Sequence, residues 1–274
     1  MSLLSAIILG IVQGLTEFLP VSSSGHLTVF QHFLGEIEAS LTFDIAVHVG
    51  TVLSVLTIYN KTIRNLISDI IKGCLNRELN GGSQLALWVI IGTIPAGLVG
   101  VFFKSHIEAM FESLWVVTVG FTFTSLLLFF SRNKGSGKMG SDFLELNGTP
   151  EIHWRQALLV GCAQAFAIIP GVSRAGSTIA MGLIVGMDRK TSALFSFMLA
   201  IPAILGAAVL QLGEVNEFGS HELQVLLTGI LVSYVVGMAG LKLVLAFVKE
   251  GRMHYFSYYL WALILFLSFY QLKG

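Results

Sequence analysis

Long apolar runs alternate with short polar connections along most of the chain. Six runs are long enough to cross a bilayer, which takes about 20 helical residues. They cover approximately residues 41–60, 85–103, 113–131, 191–212, 223–248 and 253–272. This pattern predicts an all-α integral membrane protein with about six full transmembrane helices.

Two further apolar stretches are each interrupted by Pro, Gly and Ser. The interruptions are QGLTEFLPVSSSGH at 13–26 and QAFAIIPGVSRAGST at 164–178. Each stretch predicts a broken helical hairpin that either dips into the membrane and returns or crosses it twice. The predicted helices cover 1–20 with 24–35 and 157–169 with 174–187. Irregular backbone at membrane depth is tolerated only when it is buried in protein or lines a wet cavity. The Ser-rich turns therefore suit re-entrant tips, one entering from each side of the membrane and meeting near its midplane.

The two interrupted stretches repeat each other at a spacing of 151 residues. The residues that recur are Ala6, Gly10, Gln13, Val21, Ser22 and Gly25, found again as Ala157, Gly161, Gln164, Val172, Ser173 and Gly176. Broken apolar segments at corresponding places in two halves indicate the binding site of a membrane protein.

Composition supports the membrane assignment and excludes one class of partner. Hydrophobic residues make up 54% of the 274 residues and charged residues only 12%, whereas about 25% charged is usual for a soluble domain. The net charge is zero. Because no basic stripe with interleaved aromatic residues is present either, we expect no nucleic-acid partner.

The positive charges sort the connections between the runs into two groups. Lys and Arg concentrate in 61–84, 132–155, 188–190 and 249–252, whereas 35–40, 104–112 and 213–222 contain only Lys104. By the positive-inside rule the first group is cytoplasmic and the second external.

This sorting determines the predicted architecture. Position 41 is external and the equivalent position 192 is internal, so the two halves are predicted to be inverted repeats. They span approximately 1–131 and 152–272, within a single membrane domain, and a cytoplasmic loop at 132–151 joins them.

The two broken turns carry residues suited to an anion site. Ser22, Ser23 and Ser24 directly precede an apolar segment, where serine caps helix N termini, and Ser173 precedes Arg174 in the same way. Unpaired N–H groups and a partial positive charge at a helix N terminus favour phosphate. Arginine is the side chain best matched to bidentate phosphate recognition.

The first turn also carries groups for catalysis. His26 lies close to the serines, and a serine with a nearby histidine is the minimum for an activated nucleophile. Gln13 and Glu17 are four residues apart and share a helix face. Mg²⁺ typically uses one or two carboxylates together with substrate phosphate oxygens. Glu17 is therefore a candidate metal ligand, and Gln13 is a weaker oxygen ligand.

Structural alternatives exist for these residues. Ser and Gly in membrane helices commonly permit close packing. A Glu or Arg inside a membrane is functional by default, but Glu17 and Arg174 could instead form a structural ion pair. Asp44 and His48 lie near the external end of the 41–60 run. The sequence leaves open whether they support the site or are merely interfacial.

The two interrupted segments resemble those of a known family. GLTEFLPVSSSGH at 14–26 and PGVSRAGST at 170–178 closely resemble the two signature segments of the bacterial undecaprenyl-pyrophosphate phosphatase family, known for bacitracin resistance. The resemblance covers essentially the whole chain. It implies a membrane hydrolase that removes the terminal phosphate of undecaprenyl pyrophosphate. The product is the lipid carrier for peptidoglycan and other envelope polymers.

The resemblance also implies roles for individual residues. Ser23 is the candidate nucleophile, His26 the acid/base, Glu17 a metal-binding and catalytic residue, and Arg174 a pyrophosphate-binding residue. The residues implied to assist in binding the pyrophosphate are Ser22, Gly171, Ser173 and Thr178.

The family further implies a divalent cation (Mg²⁺ or Ca²⁺), a site opening to the external face of the bacterial inner membrane, and a possible homodimer. The chain departs from the family pattern at Gln13, where the first motif often has an acid. This departure puts metal binding by two carboxylates in doubt.

Two rival functions share features with these segments. Inverted repeats with broken helices are typical of secondary transporters, so a carrier or lipid flippase using the same anion site is the main alternative. The second rival is the other membrane phosphatase superfamily, which has a similar Ser-Gly-His segment. We reject it because no His follows Arg174 at short range and the upstream Lys-Arg motif is missing. The sequence does not distinguish Ser23 from a water molecule as the nucleophile.

Overall fold

The computed structural model describes residues 1–36, 41–77, 80–132, 151–212 and 219–273. Within these ranges the chain forms twelve α-helices and no strands. Their bounds are α1 Leu3–Thr16, α2 Ser23–Leu34, α3 Leu41–Ile58, α4 Asn60–Asn76, α5 Gly81–Phe102, α6 Lys104–Phe111, α7 Leu114–Ser131, α8 Trp154–Phe166, α9 Arg174–Ile184, α10 Arg189–Leu212, α11 Ser220–Glu250 and α12 Tyr255–Lys273.

Five of these helices are long and apolar enough to cross a membrane. They are α5, α7, α10 (over Arg189–Val209), α11 and α12. The pair α3 and α4 meets the same criterion as one unit bent by 81°. The prediction of an all-α membrane protein with about six spans is thus confirmed.

Helix α4 lies in the predicted connection 61–84 and was not expected from the apolar runs. The helix makes no long apolar run because only one of its faces is apolar. Ile67, Ile71 and Leu75 recur every four residues and are exposed, while charged residues occupy other positions. Such a face follows the 3.6-residue helical period without making a continuous apolar run.

The two broken hairpins are present, each as two helices joined by an irregular turn. The first turn covers 17–22 between α1 and α2, and the second covers 167–173 between α8 and α9. The Ser22 hydroxyl caps α2 by accepting the Gly25 N–H at 3.3 Å. The Ser173 hydroxyl caps α9 by accepting the Gly176 N–H at 3.0 Å. The predicted capping role of the serines is confirmed for Ser22 and Ser173, while Ser23 and Ser24 lie in the first turn of α2.

Corresponding helices in the two halves make corresponding contacts. Helix α1 packs along α11, and α8 packs along α5. A Cβ atom on Gly10 would lie 3.0 Å from Val232, and one on the equivalent Gly161 would lie 2.4 Å from the Gly92 carbonyl oxygen. The same small residue therefore permits close helix packing in both halves. The division into inverted repeats remains a prediction, and residues 133–150 of the predicted cytoplasmic loop lie outside the described residues.

Candidate functional site

The two broken turns contact each other, and the contact is reciprocal. A Cβ atom on Gly25 would lie 2.9 Å from the Gly171 Cα, and one on Gly176 would lie 3.2 Å from Pro20. Gly25 and Gly176 are equivalent positions of the sequence repeat, as are Pro20 and Gly171. The N termini of α2 and α9 are therefore brought together, as the symmetry of the repeat predicted.

Gly171 makes the second turn possible through its conformation. Its φ of +85° is in a region that other residues rarely adopt. A Cβ atom there would also lie 2.2 Å from the Val117 carbonyl oxygen on α7. From α7, the Thr124 hydroxyl accepts the Ser173 N–H at 2.9 Å and donates to the Gly171 carbonyl oxygen at 3.0 Å. The phosphate-binding candidates Gly171 and Ser173 are thus fixed by one buried threonine.

Glu17 is the centre of the cluster. One carboxylate oxygen, Oε1, pairs with Nη2 of Arg174. The other, Oε2, accepts the Ser23 hydroxyl at 2.5 Å and the Gln13 side-chain N–H at 3.0 Å. Nε2 of His48 lies 3.5 Å from the same Oε2. The Glu17–Arg174 ion pair considered as the structural alternative is therefore formed, and the candidate nucleophile Ser23 is hydrogen-bonded to the same carboxylate.

Contacts with residues of α9 and α10 fix the position of Arg174. Its Nη1 donates to the Ser196 carbonyl oxygen at 3.3 Å. Thr178 is fully buried; its hydroxyl donates to the Arg174 carbonyl oxygen at 2.8 Å and lies 2.6 Å from the Ser196 hydroxyl. In this geometry Thr178 supports Arg174, and its hydroxyl is directed into the protein core.

His26 is buried and has partners for both ring nitrogens. Nδ1 lies 2.8 Å from the Ser22 carbonyl oxygen and Nε2 lies 2.7 Å from the Tyr259 hydroxyl. The ring turns back over the preceding helical turn and packs edge-on against Phe121. The expected Ser23–His26 pair is therefore not the observed arrangement, because the Ser23 hydroxyl donates to Glu17 instead.

Sequence reasoning missed Thr124, Ser196 and Tyr259, and it left His48 unassigned. Hydroxyl residues in membrane helices commonly donate to the carbonyl four residues earlier, as Thr118 and Thr122 do on the same helix as Thr124. No local signal distinguishes Thr124 from these two residues. Tyr259 lies on the last helix, far from either motif.

The donor atoms of the cluster bear on whether a divalent cation fits there. Among the described residues there is no group of three or more His, Cys, Asp and Glu side chains able to hold a metal. The carboxylate of Glu17 is one oxygen donor. The side-chain oxygen of Gln13 is buried and has no hydrogen-bond partner. Two such oxygens fit a cation that, like Mg²⁺, takes few protein ligands and completes its shell with phosphate oxygens.

The chain is similar to known proteins over nearly its whole length. The chain matches the family described as "Bacitracin resistance protein BacA" over residues 6–266. It is 40% identical over 271 residues to the undecaprenyl-diphosphatase of Alkaliphilus metalliredigens (strain QYMF), covering 95% of this chain and 96% of that protein.

Two further relatives with the same name are similarly close. The protein from Methanobrevibacter smithii is 39% identical over 271 residues, covering 95% of both chains. That from Carboxydothermus hydrogenoformans is 39% identical over 267 residues, covering 96% of this chain and 95% of its own length. The matched range includes both broken turns and every residue of the cluster around Glu17.

Proposed function

The chain belongs to the bacitracin resistance protein BacA family, and from this membership we propose that it is an undecaprenyl-diphosphatase. It hydrolyses undecaprenyl pyrophosphate to undecaprenyl phosphate and inorganic phosphate. The observation that carries the proposal is the cluster in which Glu17 contacts both Ser23 and Arg174 at the meeting of the two broken turns.

A site between membrane helices suits this substrate. The polyprenyl chain stays in the lipid, while the pyrophosphate requires a polar environment that neutralises its charge. Arg174 supplies a full positive charge, and the N termini of α2 and α9 add partial charges. A guanidinium has five N–H donors, so Arg174 keeps further donors for phosphate oxygens beyond its bonds to Glu17 and Ser196.

Ser23 is the favoured nucleophile over a water molecule, because its hydroxyl already donates to Glu17 at 2.5 Å. In the first step Ser23 Oγ attacks the terminal phosphorus and Glu17 accepts the hydroxyl proton. The bond from that phosphorus to the bridging oxygen breaks, and undecaprenyl phosphate leaves with the bridging oxygen and the proton. In the second step the oxygen of a water molecule attacks the phosphorus of the phosphoserine, and the bond from that phosphorus to Ser23 Oγ breaks. Inorganic phosphate is released, and one proton of the water passes to Ser23 Oγ.

His26 keeps its proposed acid/base role, with Nε2 and the Tyr259 hydroxyl as the atoms available for proton transfer. Its bond to the Ser22 carbonyl also helps to fix the turn that presents Ser23. Ser22, Gly171 and Ser173 contribute to pyrophosphate binding by shaping the two turns around Arg174.

Glu17 and Gln13 would hold the divalent cation, Mg²⁺ or Ca²⁺. When bound, the cation would neutralise charge on the transferring phosphoryl group. Location in the cytoplasmic (inner) membrane, a site opening to the external face and a homodimeric assembly are further parts of this proposal. The positive-inside distribution of Lys and Arg supports the orientation.

The test is phosphate release from undecaprenyl pyrophosphate by the detergent-solubilised protein, with and without a chelator. We expect release by the wild type, loss with the chelator, and loss in Arg174→Ala. Arg252→Ala is the matched control, because that arginine is exposed and pairs with Glu250 away from the cluster. Without a membrane there is no transport, so activity in detergent also argues against a pure carrier. A wild type that is inactive with every divalent cation tried would overturn the proposal.

A further inference from the structure

His48, on helix α3, lies beside the carboxylate of Glu17, the central residue of the site. Its Nε2 is 3.5 Å from Glu17 Oε2, and its Nδ1 is 2.6 Å from the Asp44 carbonyl oxygen. Its side chain is 24% exposed, so it is less enclosed than Glu17.

These two contacts define the state of the ring. A carbonyl oxygen can only accept a hydrogen bond, so Nδ1 carries a proton and Nε2 is the nitrogen that faces Glu17. A metal-binding histidine usually donates its other N–H to a carbonyl or carboxylate in this way. The Nε2–Oε2 separation exceeds the usual N–H···O range of about 2.7–3.2 Å. It is close to the separation of two donors that each lie about 2.1 Å from one metal ion.

A second observation at the same place is independent of His48. The side-chain oxygen of Gln13 is buried without a hydrogen-bond partner. The Gln13 amide is held against Glu17 by its own N–H at 3.0 Å. The His48 imidazole and the Gln13 amide therefore both adjoin the Glu17 carboxylate, which makes three potential donor groups.

We propose that His48 is a third protein ligand of the divalent cation, completing an imidazole, carboxylate and amide set. The imidazole supplies a further donor, because the neutral Gln13 does not fully replace the acid that the family pattern often has at this position. This inference rests on the cation binding of the proposed function. It also has a consequence for metal preference. Imidazole suits metals such as Zn²⁺, Fe²⁺ and Ni²⁺, whereas carboxylate and carbonyl oxygens suit Mg²⁺, Ca²⁺ and Mn²⁺, so an imidazole ligand is expected to favour transition metals over Ca²⁺.

The neighbouring Arg174 makes cation binding depend on the pyrophosphate group. Its positive charge beside Glu17 opposes a cation, whereas a bound pyrophosphate group attracts both. Binding of the cation and of a pyrophosphate analogue is therefore expected to be mutually favourable, by the same factor in each direction.

The test uses the detergent-solubilised full chain, Mn²⁺ and methylenebisphosphonate, with pulsed electron paramagnetic resonance in a buffer free of imidazole. We expect a directly coordinated ¹⁴N signal in the wild type. It should be lost in His48→Gln, with Mn²⁺ affinity about tenfold or more weaker. His26→Gln is the matched control and should retain the signal.

The variant His48→Glu separates a ligand role from a packing role. It should bind Mn²⁺ with near wild-type affinity but without the ¹⁴N signal. Persistence of the signal in His48→Gln, its loss in His26→Gln instead, or absence of any bound Mn²⁺ would overturn the inference. The readout requires no turnover, so a protein that binds Mn²⁺ through His48 but releases no phosphate contradicts only the proposed function.

Discussion

The hydroxyl of Tyr259 lies 2.7 Å from Nε2 of His26, although 233 positions separate the two residues in the chain. Because Nδ1 of the same ring faces the Ser22 carbonyl oxygen, Nδ1 carries the proton, and in the neutral ring Tyr259 is the donor to Nε2. The Ser22 carbonyl oxygen thus fixes the tautomer of a histidine in the first broken hairpin, and a hydroxyl on the last helix helps to hold the rotation of its ring.

This relationship predicts the effect of Tyr259→Phe. The substitution leaves Nε2 as a buried acceptor without its donor, at a cost of about 1–3 kcal/mol. We expect kcat for phosphate release to fall about tenfold, which corresponds to about 1.4 kcal/mol, with KM changed less than about twofold. Tyr258→Phe is the control, because that neighbouring tyrosine is equally exposed but packs against Tyr255 and Trp261, away from His26. Equal losses in the two variants would contradict a specific role for Tyr259.

Glu17→Gln and Gln13→Ala should differ strongly. Glu17→Gln keeps the side-chain shape but leaves Arg174 without its counter-charge, and breaking a buried ion pair costs about 3–5 kcal/mol. We expect at least a 10²–10³-fold loss of kcat for Glu17→Gln, a size typical of removing one key electrostatic group from an active site. For Gln13→Ala we expect a loss of only about tenfold, since one hydrogen bond and one neutral, weaker ligand of the cation are removed.

Steady-state phosphate release, with circular dichroism as the check on folding, measures both variants. A loss in Gln13→Ala equal to that in Glu17→Gln would count against Glu17 as the principal metal and catalytic residue. In the complementary variant Gln13→Glu, we expect half-maximal activity at a lower Mg²⁺ concentration, because a second carboxylate is added.

The parts of the site that the sequence predicts are those with local causes. Ser22 and Ser173 could be placed at helix N termini because capping depends on the residues that follow directly. The meeting of the two turns followed from the repeat. The direction of the His26 ring could not be predicted, because Tyr259 and the fold of the preceding turn decide it. Spacing alone suggested a bond to Ser23, whereas a hydroxyl 233 positions away competes for the ring.

Ser23→Ala should abolish formation of a covalent intermediate. Acid quenching of the wild type during turnover of substrate labelled in the terminal phosphate should trap a phosphoserine at position 23. The control is Ser24→Ala, because that hydroxyl lies 3.2 Å from the Ser22 hydroxyl and does not contact Glu17 in the described hydrogen bonds. Full retention of activity in Ser23→Ala would rule out Ser23 as the nucleophile and leave an attacking water molecule.

Thr124→Val tests whether the second turn depends on α7. Valine has nearly the same shape, but it can neither accept the Ser173 N–H nor donate to the Gly171 carbonyl oxygen. Each buried backbone group left without a partner costs about 1–3 kcal/mol. Because these two groups adjoin Arg174, we expect weaker binding of the pyrophosphate, seen as a rise of KM of about tenfold, together with a lower melting temperature.

Thr122→Val is the matched control on the same helix, because the Thr122 hydroxyl donates only to the carbonyl of its own preceding turn. That variant should retain wild-type KM and stability. If Thr124→Val loses stability but keeps the wild-type KM, the hydroxyl supports packing without positioning the anion site. If it loses both, while Thr122→Val loses neither, α7 takes part in substrate binding through a side chain that need not touch the substrate.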